Sequence, residues 1–229
     1  MDTKTLRQSY ERRASRRWKD RLRRWLSPPA PLVMNPREPC DFPLGRWNLY
    51  PGGAGRAVSG YVNLDLFPMP GVDVAADAHA LPFRSGLFTR VECDAVLEHV
   101  RDANQAMREI ARVLAPGGYA HVVTPFCHPF HAYPEDHRRF TIEGLRWLGS
   151  IYGLTPVAEG WRTGPTATML VFALEYAKIL APGRLGRAAA HFFLGWLLFP
   201  LRYLDLLLLR SRRAGRIGNH CYVWFRKNE

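Results

Sequence analysis

Between residues 46 and 161 short apolar runs alternate with longer stretches of helical period. The runs at 47–50, 61–66, 72–76, 88–93, 119–124 and 155–159 predict strands, and the 3.6-residue period predicts helices over 103–114 and 142–152. Most of the strand runs are apolar throughout rather than alternating, so both faces of their sheet must be covered. Strands separated by helices call for a parallel sheet. Ala115-Pro116-Gly117-Gly118 predicts a helix stop and a tight turn into a buried strand, and a last strand is expected over 220–226.

The flanking segments have other patterns. In residues 1–27, Leu6, Tyr10, Ala14, Trp18, Leu22 and Leu26 recur at every fourth position, ringed by Arg12, Arg13, Arg16, Arg17, Lys19, Arg21, Arg23 and Arg24. This predicts a basic amphipathic helix, stopped by Ser27-Pro28-Pro29. It could pack on the domain, lie on anionic lipid or clamp nucleic acid. Residues 28–45 are proline-rich and read as a linker. Residues 164–217 form an apolar helical insert, with helices expected over 169–180 and 188–209. The second reaches the roughly 20 residues needed to cross a bilayer, yet it contains Pro200, Arg202 and Asp205. If the strands on either side of the insert pair in one sheet, a single crossing is forbidden. Arg184 and Arg187 before the second helix, with Arg210, Arg212, Arg213 and Arg216 after it, suit two cytoplasmic ends. The insert is therefore expected to lie in the membrane interface or form a shallow hairpin; covering the sheet or an oligomer interface is the alternative. The catalytic-size domain is then 46–163 plus 218–229.

Composition narrows the partners. In a chain of 229 residues, 47% apolar and 12% aromatic content excludes general disorder, whereas the net charge of +12 favours an anionic partner, either nucleic acid or acidic lipid. Cys40, Cys93, Cys127 and Cys221 are scattered without a CxxC pair, which fits free thiols in a reducing compartment. The N-terminus opens on charged residues with no secretory pattern, so a cytoplasmic protein, peripheral or monotopic on the inner face of the membrane, is expected.

A parallel α/β sheet binds its ligand beyond the carboxyl ends of its strands. After the first strand comes a glycine-rich turn, Gly52, Gly53 and Gly55, where backbone can approach a ligand closely. After the second comes Asp65, able to accept both vicinal hydroxyls of a ribose; after the third comes Asp77, able to accept from an adenine amine. A surface turn or a helix cap would use the same residue types. His99 follows the fourth strand and His131 the fifth, and both are candidates for positioning an acceptor or removing its proton, the alternative being structural hydrogen bonding. His128, His131 and His137 could supply three imidazoles, but no cysteine or regular helical spacing reinforces them, so no metal centre is expected.

Five runs carry a resemblance to a family. They are Gly60-Tyr61-Val62-Asn63-Leu64-Asp65, the stretch from Asp73 to Phe83, Val96-Leu97-Glu98-His99-Val100, the stretch from Glu109 to Gly118, and Asp136-His137-Arg138-Arg139-Phe140-Thr141. Their order and spacing resemble the small class I S-adenosylmethionine-dependent methyltransferases of the type-11 kind, often found beside glycan and lipid-carrier enzymes in bacteria. The resemblance implies a Rossmann-like, mostly parallel sheet with an antiparallel last strand and S-adenosylmethionine as cofactor. Asp65 would hold the ribose, Asp77 and Ala78 the adenine, and Asp94-Ala95 would wall the methionine end. One departure stands out: Tyr50-Pro51 separate Asn48-Leu49 from the first glycine, so the loop is either displaced or altered. The interval from Gly55 to Asp65 is also too short for a full helix and predicts a turn. The expected activity is methyl transfer to a membrane-proximal acceptor such as a lipid-linked or surface glycan. A nucleic-acid methyltransferase and a catalytically degenerate scaffold are the alternatives, and oligomeric state is left open.

Overall fold

The computed structural model describes residues 27–229, so the helix expected over 1–27 lies, but for its last residue, outside the described residues. Among these, seven strands form one sheet in the order β3-β2-β1-β4-β5-β7-β6. The strands are β1 (Asn48–Pro51), β2 (Val62–Asp65), β3 (Val74–Ala75), β4 (Phe88–Asp94), β5 (Leu114–Pro125), β6 (Leu154–Thr163) and β7 (His220–Lys227). The first five pair in parallel. β7 runs antiparallel to β6, as the Asn219 N–H to Thr163 O and Asn228 N–H to Gly153 O bonds at its two ends show.

Strands β4 and β5 are buried on both faces: Phe88, Val91 and Cys93 of β4 and Ala120, Val122 and Val123 of β5 are sealed from water, and Arg90 and Glu92 of β4 are buried as a hydrogen-bonded pair. Helix α1 (Ala103–Val113) closes over them with Ala106, Met107 and Ile110, and starts where the Asp102 side chain accepts from the N–H groups of Asn104 and Gln105. Helix α2 (Ile142–Ser150) starts on Thr141, whose hydroxyl accepts from Gly144 N–H at 3.0 Å.

Two expectations about boundaries are corrected. Ala115–Gly118 is not a turn ahead of the strand: β5 already pairs at Leu114 opposite Phe88, and its register then jumps to Tyr119 opposite Arg90. The extra residues form a bulge, with Gly117 at φ 71° and Gly118 so close to Phe88 O and Thr89 O that a Cβ would lie 2.9 Å from the latter. Nor are all of residues 28–45 a linker. From Arg37 on the chain belongs to the sheet unit. There Phe42 stacks on Trp224 at 4.3 Å, Arg90 donates to Phe42 O at 2.8 Å, and Glu38 meets His121 Nε2 at 2.8 Å.

The chain divides into two compact units. The sheet unit comprises Arg37–Phe126, His131–Gly160 and Cys221–Glu229. The helical unit comprises residues 27–36, Cys127–Phe130 and Trp161–His220. It contains α3 (Pro165–Leu180), α4 (Gly183–Leu198), a tighter 3₁₀ stretch Phe199–Leu204 and the short α5 (Asp205–Leu208). The helix expected over 188–209 thus begins earlier and gives way after Leu198 to a 3₁₀ stretch with Pro200 in its first turn, whose missing N–H and ring do not suit a helix interior. Helix α3 has no capping side chain of its own. Asp205, fully buried, supplies one: its oxygens accept from the N–H groups of Thr166 at 2.8 Å and Ala167 at 2.9 Å. Thus the charge that sits oddly in an apolar run serves a helix end.

Candidate active site

The loops after β1, β2, β3, β4 and β5 carry every candidate residue, and all of these lie in the sheet unit. β1 runs two residues further than its apolar core, with Tyr50 opposite Asn63 and Pro51 opposite Leu64. Gly52 therefore follows the strand directly and donates to Leu64 O at 2.8 Å, so the Tyr50-Pro51 departure lengthens the strand rather than displacing the loop. Gly52 and Gly55 both have φ 78°, and a Cβ on Gly52 would strike Val96 Cγ2 at 2.3 Å. No helix separates the loop from β2, as the short interval predicts.

Asp65 ends β2 with only 5% of its surface exposed. Its Oδ2 accepts from Ala54 N–H in the glycine loop at 2.8 Å, and its Oδ1 accepts from Leu66 N–H at 2.8 Å. A carboxylate has about four acceptor positions, so two bonds orient it and leave acceptor capacity for a vicinal diol. The residues present thus fit the ribose of the implied cofactor.

Asp77 lies two residues past the β3 position paired with Asp65. Its Oδ1 accepts from His79 N–H at 2.9 Å and meets His79 Nδ1 at 2.5 Å, while His79 Nε2 accepts from Asp102 N–H at 3.1 Å. This turn role, one of the two readings above, uses one oxygen and leaves Oδ2. Glu109 of α1 accepts from Leu81 N–H at 2.8 Å, and Arg112 donates to Leu81 O and Phe83 O, tying the stretch that follows Asp77–Ala78 to the helix. Asp94 ends β4, and Ala95 beside it sits at φ 55°, a left-handed backbone that costs an alanine energy and makes a sharp corner at the strand end.

The two histidines come together. The rings of His99 and His131 are 4.9 Å apart and nearly perpendicular. Between them lies Glu98, fully buried, with Oε1 3.6 Å from His99 Nε2 and 3.8 Å from His131 Nε2. Behind His131, Asp136 accepts the His131 N–H at 2.8 Å and binds Arg139, whose guanidinium holds the Asp136 carboxyl well below the usual carboxylate range. His128 instead packs on His220 and His137 meets Glu135 at 3.2 Å, so the three imidazoles weighed from sequence are not the group that forms. Glu98 has no role in the sequence reading beyond its place in a family-like run; its sealed position is a property of the folded chain.

Residues 62–122 match the family model described as a methyltransferase domain. Over that stretch, from β2 into β5, the chain is similar to methyltransferase domains. A demethylmenaquinone methyltransferase from Streptomyces avermitilis is 34% identical over 145 residues, which cover 61% of this chain and 56% of that relative. The chain therefore spans little more than half the length of this curated relative. Among solved structures, the phosphoethanolamine N-methyltransferase 2 of Haemonchus contortus in complex with S-adenosyl-L-methionine superposes with a TM-score of 0.52 at 16% identity, covering 84% of this chain and 50% of that one. The [4+2]-cyclase SpnF superposes with a TM-score of 0.53 at 16% identity, covering 94% and 84%. A cyclase on this sheet shows that the methyltransferase fold does not by itself choose the reaction.

Proposed function

We propose that the chain transfers a methyl group from S-adenosylmethionine to an acceptor met at a membrane surface, such as a lipid-linked or surface glycan. The observation that carries the cofactor half is the anchored, nearly buried carboxylate of Asp65, with acceptor capacity left for a ribose diol. Gly52, Gly53 and Gly55 bring backbone close to the same strand end, Asp77 and Ala78 border the adenine, and Asp94-Ala95 border the methionine end. In the transfer the acceptor oxygen bonds to the methyl carbon as the carbon–sulfur bond breaks. S-Adenosylhomocysteine leaves, and the hydroxyl proton passes to a base, for which His131 and His99 are the candidates. Alignment and exclusion of water supply most of the acceleration.

The membrane half rests on the helical unit. Gly183–Leu208 is long and apolar enough by composition to cross a bilayer, yet hardly buried. Phe193 is 71% exposed and Leu197 72%. β6 leads into this segment and β7 leaves it, and the two are neighbours in one sheet, which excludes a single crossing. Arginines on both sides of the segment suit anionic head groups, so the helices lie along the interface on the cytoplasmic side. A relative named for demethylmenaquinone, a lipid-like quinone, supports a membrane-borne acceptor without carrying that quinone over.

Calorimetry of the full chain with S-adenosylmethionine tests the first half. Binding is expected, weakened roughly ten- to a hundredfold by Asp65→Ala, since charge-assisted hydrogen bonds contribute about 1.5–3 kcal/mol. No binding by the wild type would leave a scaffold. Flotation with vesicles tests the second half: recovery with acidic-lipid vesicles and little with neutral ones is expected, and a chain that stays below both would refute membrane attachment.

A further inference from the structure

We propose that Glu98, His99 and His131 form a binding site for a divalent transition metal ion, Zn²⁺ by its geometry. One ligand atom from each side chain lies within 4.8 Å of the others. Both carboxylate oxygens of Glu98 are buried without a hydrogen bond. A buried carboxylate lacking donors is costly, and a cation at this point would relieve it. Arg139 feels the Glu98 charge, but its hydrogen bonds go to Asp136 as a forked pair and not to Glu98.

A proton shared between Glu98 and either imidazole does not fit the spacing. At 3.6 and 3.8 Å the Nε2 to Oε1 separations exceed hydrogen-bond length. With metal–ligand bonds of about 2.1 Å, ligand atoms stand about 3.4 Å apart around a tetrahedral ion and about 3.0 Å apart at neighbouring octahedral positions. The two separations from Glu98 Oε1 are nearer the tetrahedral edge.

The outer partner of His99 agrees. His99 Nδ1 is 2.6 Å from Glu135 O, an acceptor that fixes the proton on Nδ1 and leaves the Nε2 lone pair facing Glu98. His131 is held differently: its backbone N–H donates to Asp136 Oδ2 at 2.8 Å, and its Nδ1 has the donor Arg139 Nη2 at 3.5 Å and Asp136 Oδ2 at 3.5 Å. A carbonyl behind a ligating imidazole, as behind His99, is how metal sites orient their histidines. His131 is partly exposed while Glu98 is sealed, which leaves an entry on one side. Three protein ligands leave a fourth position for water or an acceptor oxygen, as in zinc sites built from two histidines and a glutamate.

The site shares His99 and His131 with the proposed proton transfer, but its readout is ion uptake, which does not depend on methyl transfer. The full chain, stripped with a chelator, is titrated with Zn²⁺ and with Co²⁺. One equivalent per chain and the visible bands of four-coordinate Co²⁺ are expected. Glu98→Gln and His131→Ala should abolish both signals, and Asp136→Asn should weaken Zn²⁺ binding roughly ten- to a hundredfold. Circular dichroism and S-adenosylmethionine calorimetry on the same samples report whether each variant is folded. A wild-type chain that takes up no Zn²⁺ would overturn the site, as would folded variants that keep the Co²⁺ spectrum. Should Glu98→Gln not fold, the wild-type titration and Asp136→Asn decide. Zn²⁺ uptake by a chain that binds no S-adenosylmethionine would uphold this site and refute the proposed methyl transfer.

Discussion

In β4 and β5, Phe88, Val91, Cys93, Ala120, Val122 and Val123 are sealed from water, whereas in α3 and α4 Ile179, Leu185, Phe193 and Leu197 stand exposed. Both regions are rich in apolar residues, so hydrophobic content does not tell them apart; the arrangement does. A strand in a parallel sheet has neighbours on both faces and both edges, which removes apolar area at about 25 cal/mol per Å². Among the residues of α4, only Gly195 is buried. The sheet unit uses its apolar residues to fold, whereas much of the apolar surface of the helical unit stands exposed, the kind of patch that marks an interaction site. The sharpest way to break this contrast is to truncate one large side chain in each region. Phe88→Ala is expected to cost about 3–5 kcal/mol in urea denaturation, because it leaves a cavity in a packed core. Equal losses from Phe88→Ala and Phe193→Ala would end the distinction.

The helical unit still needs internal order, and Asp205 tests how much. Its carboxylate serves the α3 N-terminus, and a Cβ on Gly164 would lie 2.5 Å from the Asp205 carboxyl carbon. Asp205→Ala leaves the amides of Thr166 and Ala167 without this acceptor and is expected to destabilise by about 1–3 kcal/mol. The measurement is the fall in helical circular dichroism signal with urea. A change under half of the lower figure would mean that α3 needs no outside cap.

In the sheet unit a comparable tie is pH-dependent. The Arg112 hydrogen bond, helped by Leu81 N–H and opposed by burial, holds the Glu109 carboxyl below its ordinary value. A group depressed in the folded state adds stability above its unfolded value of about 4.3, and that contribution is lost as pH falls through the folded value. Acid below about pH 4 is therefore expected to loosen the Leu81–Phe83 segment beside Asp77, weakening the wild type and leaving Glu109→Gln less responsive. Urea midpoints of both proteins at neutral and acid pH measure it; parallel pH profiles would remove Glu109 as the cause.

The strands were legible to within a few residues because each centres on a short run rich in apolar residues between turn signals, most clearly Val122–Val123 in β5 and Tyr222–Phe225 in β7, which are buried. The glycine loop, Asp65, Asp77, His99 and His131 were legible because chain order places them after successive strands. Three features were not. The bulge at Ala115–Gly118 depends on which strand lies opposite, and Pro-Gly-Gly reads equally well as a turn. Glu98 gains its meaning from being sealed between histidines, one of them supplied by a loop more than thirty positions further along the chain. Asp205 reads as an argument against burial in an apolar run, and its partners lie 38 and 39 positions earlier. Each depends on contacts distant in sequence, which local period and propensity do not encode.

The smallest effect on stability is expected where the effect on location is largest. Leu197 is 72% exposed, so Leu197→Gln removes little buried area and should shift folding stability by no more than about 0.5 kcal/mol. If lipid is the partner of this face, the same substitution withdraws apolar area from the interface, and flotation with acidic vesicles should fall severalfold, further in the double variant with Phe193→Gln. Salt separates the two contributions: raising ionic strength screens the arginines and leaves apolar insertion in place. A wild-type chain released wholly by salt, and indifferent to Leu197→Gln, would be held by charge alone. The exposed side chains of α4 would then have to face protein rather than lipid.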